Sequence, residues 1–310
     1  MSLCDLSCVS PRSPTDCEFT YADADIDQLS AQLGVKWQNS KLIPFGEEVP
    51  YLGFCWNLRT QKVHLPDMKK AKYLAAIDEW RKNHTHNLIE TQKLHGKLLH
   101  TALVIPAGRA HLTNMEAMLA SFNNSPFRPH TPPRGTPDDL VWWQCQLGRA
   151  DIFISIPRPH PLVEHRAFSD ASSGVGVAIT VGPRWRAWWL APGWKSQGRD
   201  IQWAKAIAFE LLTTYIFAVA NEGDHVVVHG DNRGVVEGWW KGCSANGPTN
   251  HVFRCILQLS EDCGRTVHTR YVPSAQNPAD PPSRGHYPSC SLLLDPVTIH
   301  NDARHLLIDV

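Results

Sequence analysis

Glu164-His165-Arg166-Ala167-Phe168-Ser169-Asp170-Ala171-Ser172 decides the fold. An apolar segment delivers an acid to its end, and Gly174 and Gly176 follow among small residues. Val175-Gly176-Val177-Ala178-Ile179-Thr180-Val181 then reads as a returning strand. The pattern predicts a strand, a tight turn and a second strand, with a carboxylate at the exit of the first. Alone, Asp170 is an ordinary strand-end turn residue.

Downstream the pattern stays regular. A third strand is expected over Trp185 to Leu190, a long helix over Asp200 to Ala220, and a fourth strand over His225 to His229. Helices follow at about Gly234 to Trp240 and Asn250 to Cys263, a fifth strand at Thr266 to Val272, and a last helix near Asp280. Three meandering strands followed by alternating helices and strands predict an α/β domain over 162–290 with a mixed five-stranded sheet. Residues 291–310 read as a tail.

Three further acids bear on Asp170. Glu210 sits in the apolar run Phe209-Glu210-Leu211-Leu212, where burial is costly unless a cation compensates it. Val226-Val227-Val228-His229-Gly230-Asp231 repeats the strand that ends in Asp. Asn277-Pro278-Ala279-Asp280-Pro281-Pro282 puts an acid at a helix start. Singly, Asp231 reads as a turn residue and Asp280 as a plain N-cap. Together they predict carboxylates converging on one rim of the sheet. Such a set repels itself unless divalent cations occupy it, and hard oxygen donors select Mg²⁺ or Mn²⁺. Two ions suit phosphodiester cleavage.

Upstream the signals are weaker. Residues 1–44 read as a poorly ordered leader with a short helix around Ile26 to Leu33. Tyr51-Leu52-Gly53-Phe54-Cys55-Trp56 and Val63-His64-Leu65 predict a hairpin closed by Pro66. A helix capped by Asp67 buries Tyr73, Leu74, Ile77 and Trp80. Lys69, Lys70 and Lys72 lie on its first turns as a solvated face or a phosphate contact. Helices are expected over Thr91 to Ile105 and Arg109 to Ser121. Prolines at 126, 129, 132, 133 and 137 mark 125–161 as a linker, with a helical turn at Trp142 to Leu147 and a strand at Asp151 to Ile156.

The 310 residues suffice for two domains, and 30 basic residues balance 30 acidic ones, so any nucleic-acid binding rests on local patches. Nine cysteines without regular spacing predict free thiols in an intracellular setting, cytoplasm or nucleus. Around Cys255 and Cys263 no zinc-finger spacing is visible. His84 and His86 read as an exposed helix end. Neither a secretory signal nor a membrane-spanning run is visible, so a soluble protein without membrane contact is expected.

The four acids resemble those of ribonuclease H type 1, the domain that follows reverse transcriptase in retroelements. The closing stretch from Tyr271-Val272-Pro273-Ser274 through Ala279-Asp280-Pro281-Pro282-Ser283-Arg284 is similar to gypsy-like and DIRS-like elements. The hairpin at Tyr51 to Pro66 resembles a reverse-transcriptase primer grip, and the helices to Ser121 the thumb and connection, so 45–124 is expected as a mainly helical domain of that kind. A paired-Asp polymerase signature is missing at Tyr21-Ala22-Asp23-Ala24, which implies a truncated element without polymerase activity.

The resemblance implies a ribonuclease H-like fold that hydrolyses the RNA strand of RNA–DNA hybrids with two Mg²⁺ ions. Asp170 would bridge both, Glu210 and Asp231 would complete one site, and Asp280 the other. Asn232, Arg233, Trp239, Lys241 and Arg284 would contact substrate. A polymerase partner that supplies substrate, or a homodimer, is implied. Two other readings remain: a non-catalytic nucleic-acid-binding remnant, or a nuclease of the same fold with another substrate.

Overall fold

A computed structural model describes residues 23–36, 46–124, 126–156 and 160–310. The expected leader lies mostly outside them, as do Tyr21 and Ala22. What is described there begins with helix α1, Asp23–Gln32.

The first layer is a meander of β1 (Glu48–Tyr51), β2 (Phe54–Asn57) and β3 (Lys62–His64). The stretch expected as one strand from Tyr51 to Trp56 is split. Leu52 and Gly53 both take positive φ, 48° and 85°, and turn the chain back on itself. Four helices follow: α2 (Asp67–Arg81), α3 (Leu88–Thr101), α4 (Thr113–Ser121) and α5 (Thr136–Leu147). Pro66 rather than Asp67 is the N-cap of α2, and Asp67 instead pairs with Lys70 at 2.8 Å. Asn87 caps α3 with a reciprocal bond to Glu90. Between α3 and α4 the chain makes a 3-10 turn, Pro106–His111.

The stretch expected as a linker folds. Pro137 falls in the first turn of α5, where a missing N–H costs nothing. Trp143 is fully buried there, and β4 (Phe153–Ser155) pairs antiparallel with β3. This part is therefore a four-stranded sheet, β1-β2-β3-β4, packed against the four helices. Ile77, Leu98, Leu112 and Trp143 fill its core. His86, expected at an exposed end, is 2 % exposed and stacks on Trp80 at 3.4 Å.

The second sheet contains β5 (Leu162–Ala171), β6 (Gly176–Val181) and β7 (Arg184–Leu190), then β8 (His225–Gly230) and β9 (Thr266–Tyr271). Helix α6 (Ile201–Val219) links β7 to β8, and α7 (Arg233–Lys241) and α8 (Gly247–Cys263) link β8 to β9. A four-residue α9 (Asp280–Ser283) and α10 (Asn301–Arg304) lead to β10 (Leu307–Asp309). The strand order is β10-β7-β6-β5-β8-β9. β5, β6 and β7 run antiparallel in sequence, while β8 and β9 run parallel to β5 and to each other.

The expected five strands are present, but the sheet has six. The expected tail returns to it, and β10 pairs with β7 through Leu307↔Leu190. Gly176 lets β6 approach β7: a Cβ there would lie 2.0 Å from the Trp188 carbonyl oxygen. α6 lays Ala204, Ile207, Ala208, Leu211 and Leu212 into a core shared with Val177, Ile179 and Trp188. Each large apolar side chain buried this way contributes roughly 1.5–3 kcal/mol.

A polar seam joins the two parts. Asn250 and Arg254 on α8 donate to the Ala110 carbonyl at 2.8 and 2.7 Å, and Arg254 pairs with buried Asp139 at 2.8 Å. Among the described residues six cysteines are unpaired, and no helix is long and apolar enough to cross a membrane.

Candidate active site

β5 and β8 are neighbours in parallel register, with Ser169 opposite Gly230. Their carboxyl ends therefore deliver Asp170 and Asp231 to one rim. The loop after β9 brings Asp280 to the same place. Asn277 fixes that loop, since its side chain donates to the Ser169 carbonyl at 3.1 Å and accepts from the Ala279 amide at 3.1 Å. Carboxylate oxygens of the three acids lie within 4.8 Å of one another.

Glu210 is not among them. The α6 residue that meets these acids is Lys205. Its ammonium donates to Asp170 Oδ1 at 2.7 Å and to Asp231 Oδ1 at 2.5 Å. Lys205 and Glu210 are five positions apart, which turns their side chains about 140° around the helix and separates them by about 7.5 Å along it. Glu210 is 8 % exposed and faces a cleft with His251, Cys255 and His300. Burial, reinforced by Asp302, pushes its carboxyl up to about 8.

Every oxygen of the two central acids has a partner. Ser283 Oγ donates to Asp170 Oδ2 at 2.7 Å, and Ser274 Oγ donates to Asp231 Oδ2 at 2.5 Å. Arg284 Nε reaches both oxygens of Asp280 at 3.0 Å. Burial works against ionisation of both central acids. At Asp170 it prevails, and the carboxyl stands above its ordinary value despite Lys205 and Ser283. At Asp231 burial is outweighed by the hydrogen bonds from Lys205 and Ser274, and the carboxyl stands below. Lys205 is also buried, but the two acids outweigh that and hold its ammonium above the usual lysine value.

A pair of divalent ions does not fit this donor set. The inward oxygens of Asp170 and Asp231 are held by a built-in cation, and the outward ones by serine hydroxyls. Lys205 and Arg284 already offset two of the three negative charges. A metal ion would have to expel an ammonium whose side chain is only 17 % exposed.

The expected substrate contacts divide. Asn232 is the N-cap of α7, accepting from the Val235 amide at 2.9 Å. Arg233 is exposed and lies over the Tyr271 ring at 5.2 Å. Lys241 is exposed at the end of α7. Arg284 is exposed but engaged with Asp280. Trp239 packs inward between Phe209 and Phe253, with ring centroids at 5.2 and 5.7 Å. Its neighbour Trp240 is 65 % exposed instead.

Lys205 was missed by the sequence reading, yet its signal was present. Trp203-Ala204-Lys205-Ala206-Ile207-Ala208-Phe209 buries a charge among apolar residues as conspicuously as the run around Glu210. Helix arithmetic from Lys205 would have separated the two faces.

No protein-family model matches the chain, and no curated protein matches it. Among solved structures, the RNase H1 of the halophilic archaeon Halobacterium salinarum NRC-1 is 15 % identical, with a TM-score of 0.27 over 38 % of this chain and 91 % of that one. A foamy viral protease-reverse transcriptase in complex with double-stranded DNA is 14 % identical, with a TM-score of 0.28 over 74 % of this chain and 38 % of the viral one. The foamy viral protease-reverse transcriptase in complex with RNA/DNA hybrid is 11 % identical, with a TM-score of 0.25 over 86 % and 56 %. The chain thus spans well under two thirds of the viral proteins it matches. All three are distant likenesses.

Proposed function

We propose that this chain is a retroelement-derived nucleic-acid-binding module of ribonuclease H architecture, in which two-metal hydrolysis is shut off by Lys205. Asp170 and Asp231 at two strand ends and Asp280 at a helix start support that architecture. Lys205 Nζ, held between Asp170 and Asp231, is the observation that carries the reading. An ammonium tethered at the centre offsets the acids as a metal would. It cannot polarise water into a nucleophile or stabilise a leaving oxygen on a second ion.

Binding is assigned to the same rim. Exposed Arg233, Arg284 and Lys241 supply phosphate contacts, Tyr271 offers an aromatic face against Arg233, and Trp240 offers a second one near the end of α7. Basic groups interleaved with aromatics suit a nucleic-acid backbone and unstacked bases. An RNA–DNA hybrid is the proposed ligand, with the 2′-hydroxyls of its wide minor groove distinguishing it from DNA.

The test is a labelled RNA–DNA hybrid incubated with the purified chain, in chelator and then in Mg²⁺ or Mn²⁺. The expected result is a shifted complex, weakened by Arg233→Ala, with the RNA strand intact in every condition. Metal-dependent cleavage that disappears in Asp231→Asn overturns the proposal and restores the enzyme reading.

A further inference from the structure

Cys255 follows His251 by one turn of α8, so the two side chains share a face. The C-terminal segment brings His300 against that face. Cys255 Sγ lies 3.9 Å from His251 Nε2 and 3.9 Å from His300 Nε2. Asp302, in the first turn of α10, places Oδ2 2.8 Å from His251 Nε2 and 3.7 Å from His300 Nδ1. Donor atoms of His251, Cys255 and His300 all lie within 4.8 Å of one another.

These spacings are close to those of a filled tetrahedron. Zinc bonds of about 2.3 Å to sulfur and 2.0–2.1 Å to nitrogen put the two donors about 3.5 Å apart. A contraction of a few tenths of an ångström brings Cys255 and both histidines onto one ion. Imidazole and thiolate donors suit zinc, whereas the acid rim offers only hard oxygens.

Glu210 is the independent observation. It lines the same cleft of about 280 Å³ as His251, Cys255, His300 and Asp302. Its side chain is 8 % exposed, and its carboxylate has no hydrogen-bond or ion-pair partner among the described residues. Among the described residues the other buried carboxylates each have a cation: Lys205 for Asp170, and Arg254 for Asp139.

We infer that His251, Cys255 and His300 form a zinc site, with Asp302 beside the two histidines and Glu210 lining the cleft beneath it. Two ligands come from α8 and one from the segment that ends in β10. The ion therefore ties the sixth strand to the body of the domain. His251 and His300 are exposed, so the ion reaches them directly from solvent.

The full chain, stripped with a chelator and titrated with Co²⁺, tests this. Expected is one equivalent bound, with the intense visible bands of tetrahedral cobalt and a thiolate-to-cobalt charge-transfer band, both erased by Zn²⁺. Cys255→Ser removes the charge-transfer band, and His300→Ala weakens Zn²⁺ binding at least about tenfold. Cys290→Ser, at an exposed cysteine elsewhere, changes neither. Zn²⁺ slows hydrogen exchange at Leu307 to Asp309 in the wild type but not in Cys255→Ser. Absence of stoichiometric binding by the wild type overturns the inference even if the variants do not fold. So does binding that Cys255→Ser leaves intact.

Discussion

Helix α6 presents two buried charges to two clusters, and they are opposites. At Lys205 a cation stands among carboxylates that have closed around it. At Glu210 a carboxyl pushed up to about 8 by burial stands beside histidines and a cysteine, with no cation paired to it among the described residues. The first cluster is electrostatically finished, since each oxygen of Asp170 and Asp231 has a donor. The second is unfinished. Burial makes the difference consequential, because a charge removed from water needs a partner or neutralises itself. One face of the helix has thus internalised its cation, while the other leaves room for one from solution.

Lys205→Glu breaks this contrast most directly. It puts a fourth carboxylate among three that have lost their ammonium. In chelator the variant is expected to lose roughly 3–5 kcal/mol of stability, the usual cost of stripping the partner from buried charges. Mg²⁺ or Mn²⁺ then raises its melting temperature, which they do not do for the wild type, and hybrid cleavage appears. A variant whose melting ignores Mg²⁺ would show that the lysine is not what keeps metal out.

The adjacent tryptophans of α7 carry the contrast from charge to packing. Trp239→Ala empties a site between Phe209 and Phe253 and is expected to cost about 3–5 kcal/mol in denaturant unfolding. Trp240→Ala removes a ring that is 65 % exposed and one hydrogen bond to the Thr269 carbonyl, and is expected to cost only about 1 kcal/mol. Its effect should appear instead in hybrid affinity, where loss of a stacked base costs about 1–3 kcal/mol. Equal effects on stability would place both rings in the core.

How much of this was legible follows the range of the interactions. The order of strands and helices from Leu162 to Tyr271 could be read because each is written in local periodicity. Asp170, Asp231 and Asp280 could be read because strand ends and a proline-marked helix start have local signatures. Glu210 was misplaced because an acid in an apolar helix says nothing about which face it occupies. The His251, Cys255 and His300 cluster was invisible because its members meet only after the tail returns. That return, and the sixth strand with it, rests on three residues of β10, too few for a periodic signal. The proline-rich stretch misled for a related reason. Its prolines punctuate the turns around α5 and its first turn, where they are compatible with a helix.

Asp139 offers a third version of the same comparison, a buried carboxylate whose cation comes from across the seam. Arg254 pairs with it and also donates to the Ala110 carbonyl. Arg254→Ala is expected to cost about 3 kcal/mol, near the low end for a broken buried pair because Asn114 still donates to Asp139 at 2.7 Å. The loss should appear as separate unfolding of the two parts in calorimetry, since Arg254 holds α8 against the turn at Pro106–His111. A single transition shifted by less than about 1 kcal/mol would mean the seam does not couple them.

The smallest expected effect lies in the same network and depends on pH. His111 stacks on Trp142 at 3.9 Å, and its Nδ1 lies 3.1 Å from Asp139 Oδ1. Burial lowers its pKa, helped by nearby Arg254 and opposed by Asp139. The folded chain therefore keeps the imidazole neutral where the unfolded chain, titrating near 6.5, takes up a proton. Stability from this group is fully present above about pH 6.5 and is lost as pH falls from there toward the depressed folded value. Between pH 7.5 and 5.5 the wild type should lose about 1 kcal/mol more than His111→Gln, which cannot titrate. Other buried histidines, His86 among them, contribute equally to both proteins and cancel in that difference. If the gap between the two proteins stays constant on acidification, Asp139 holds His111 at its ordinary value, and the pair behaves as a second compensated charge rather than a buried neutral ring.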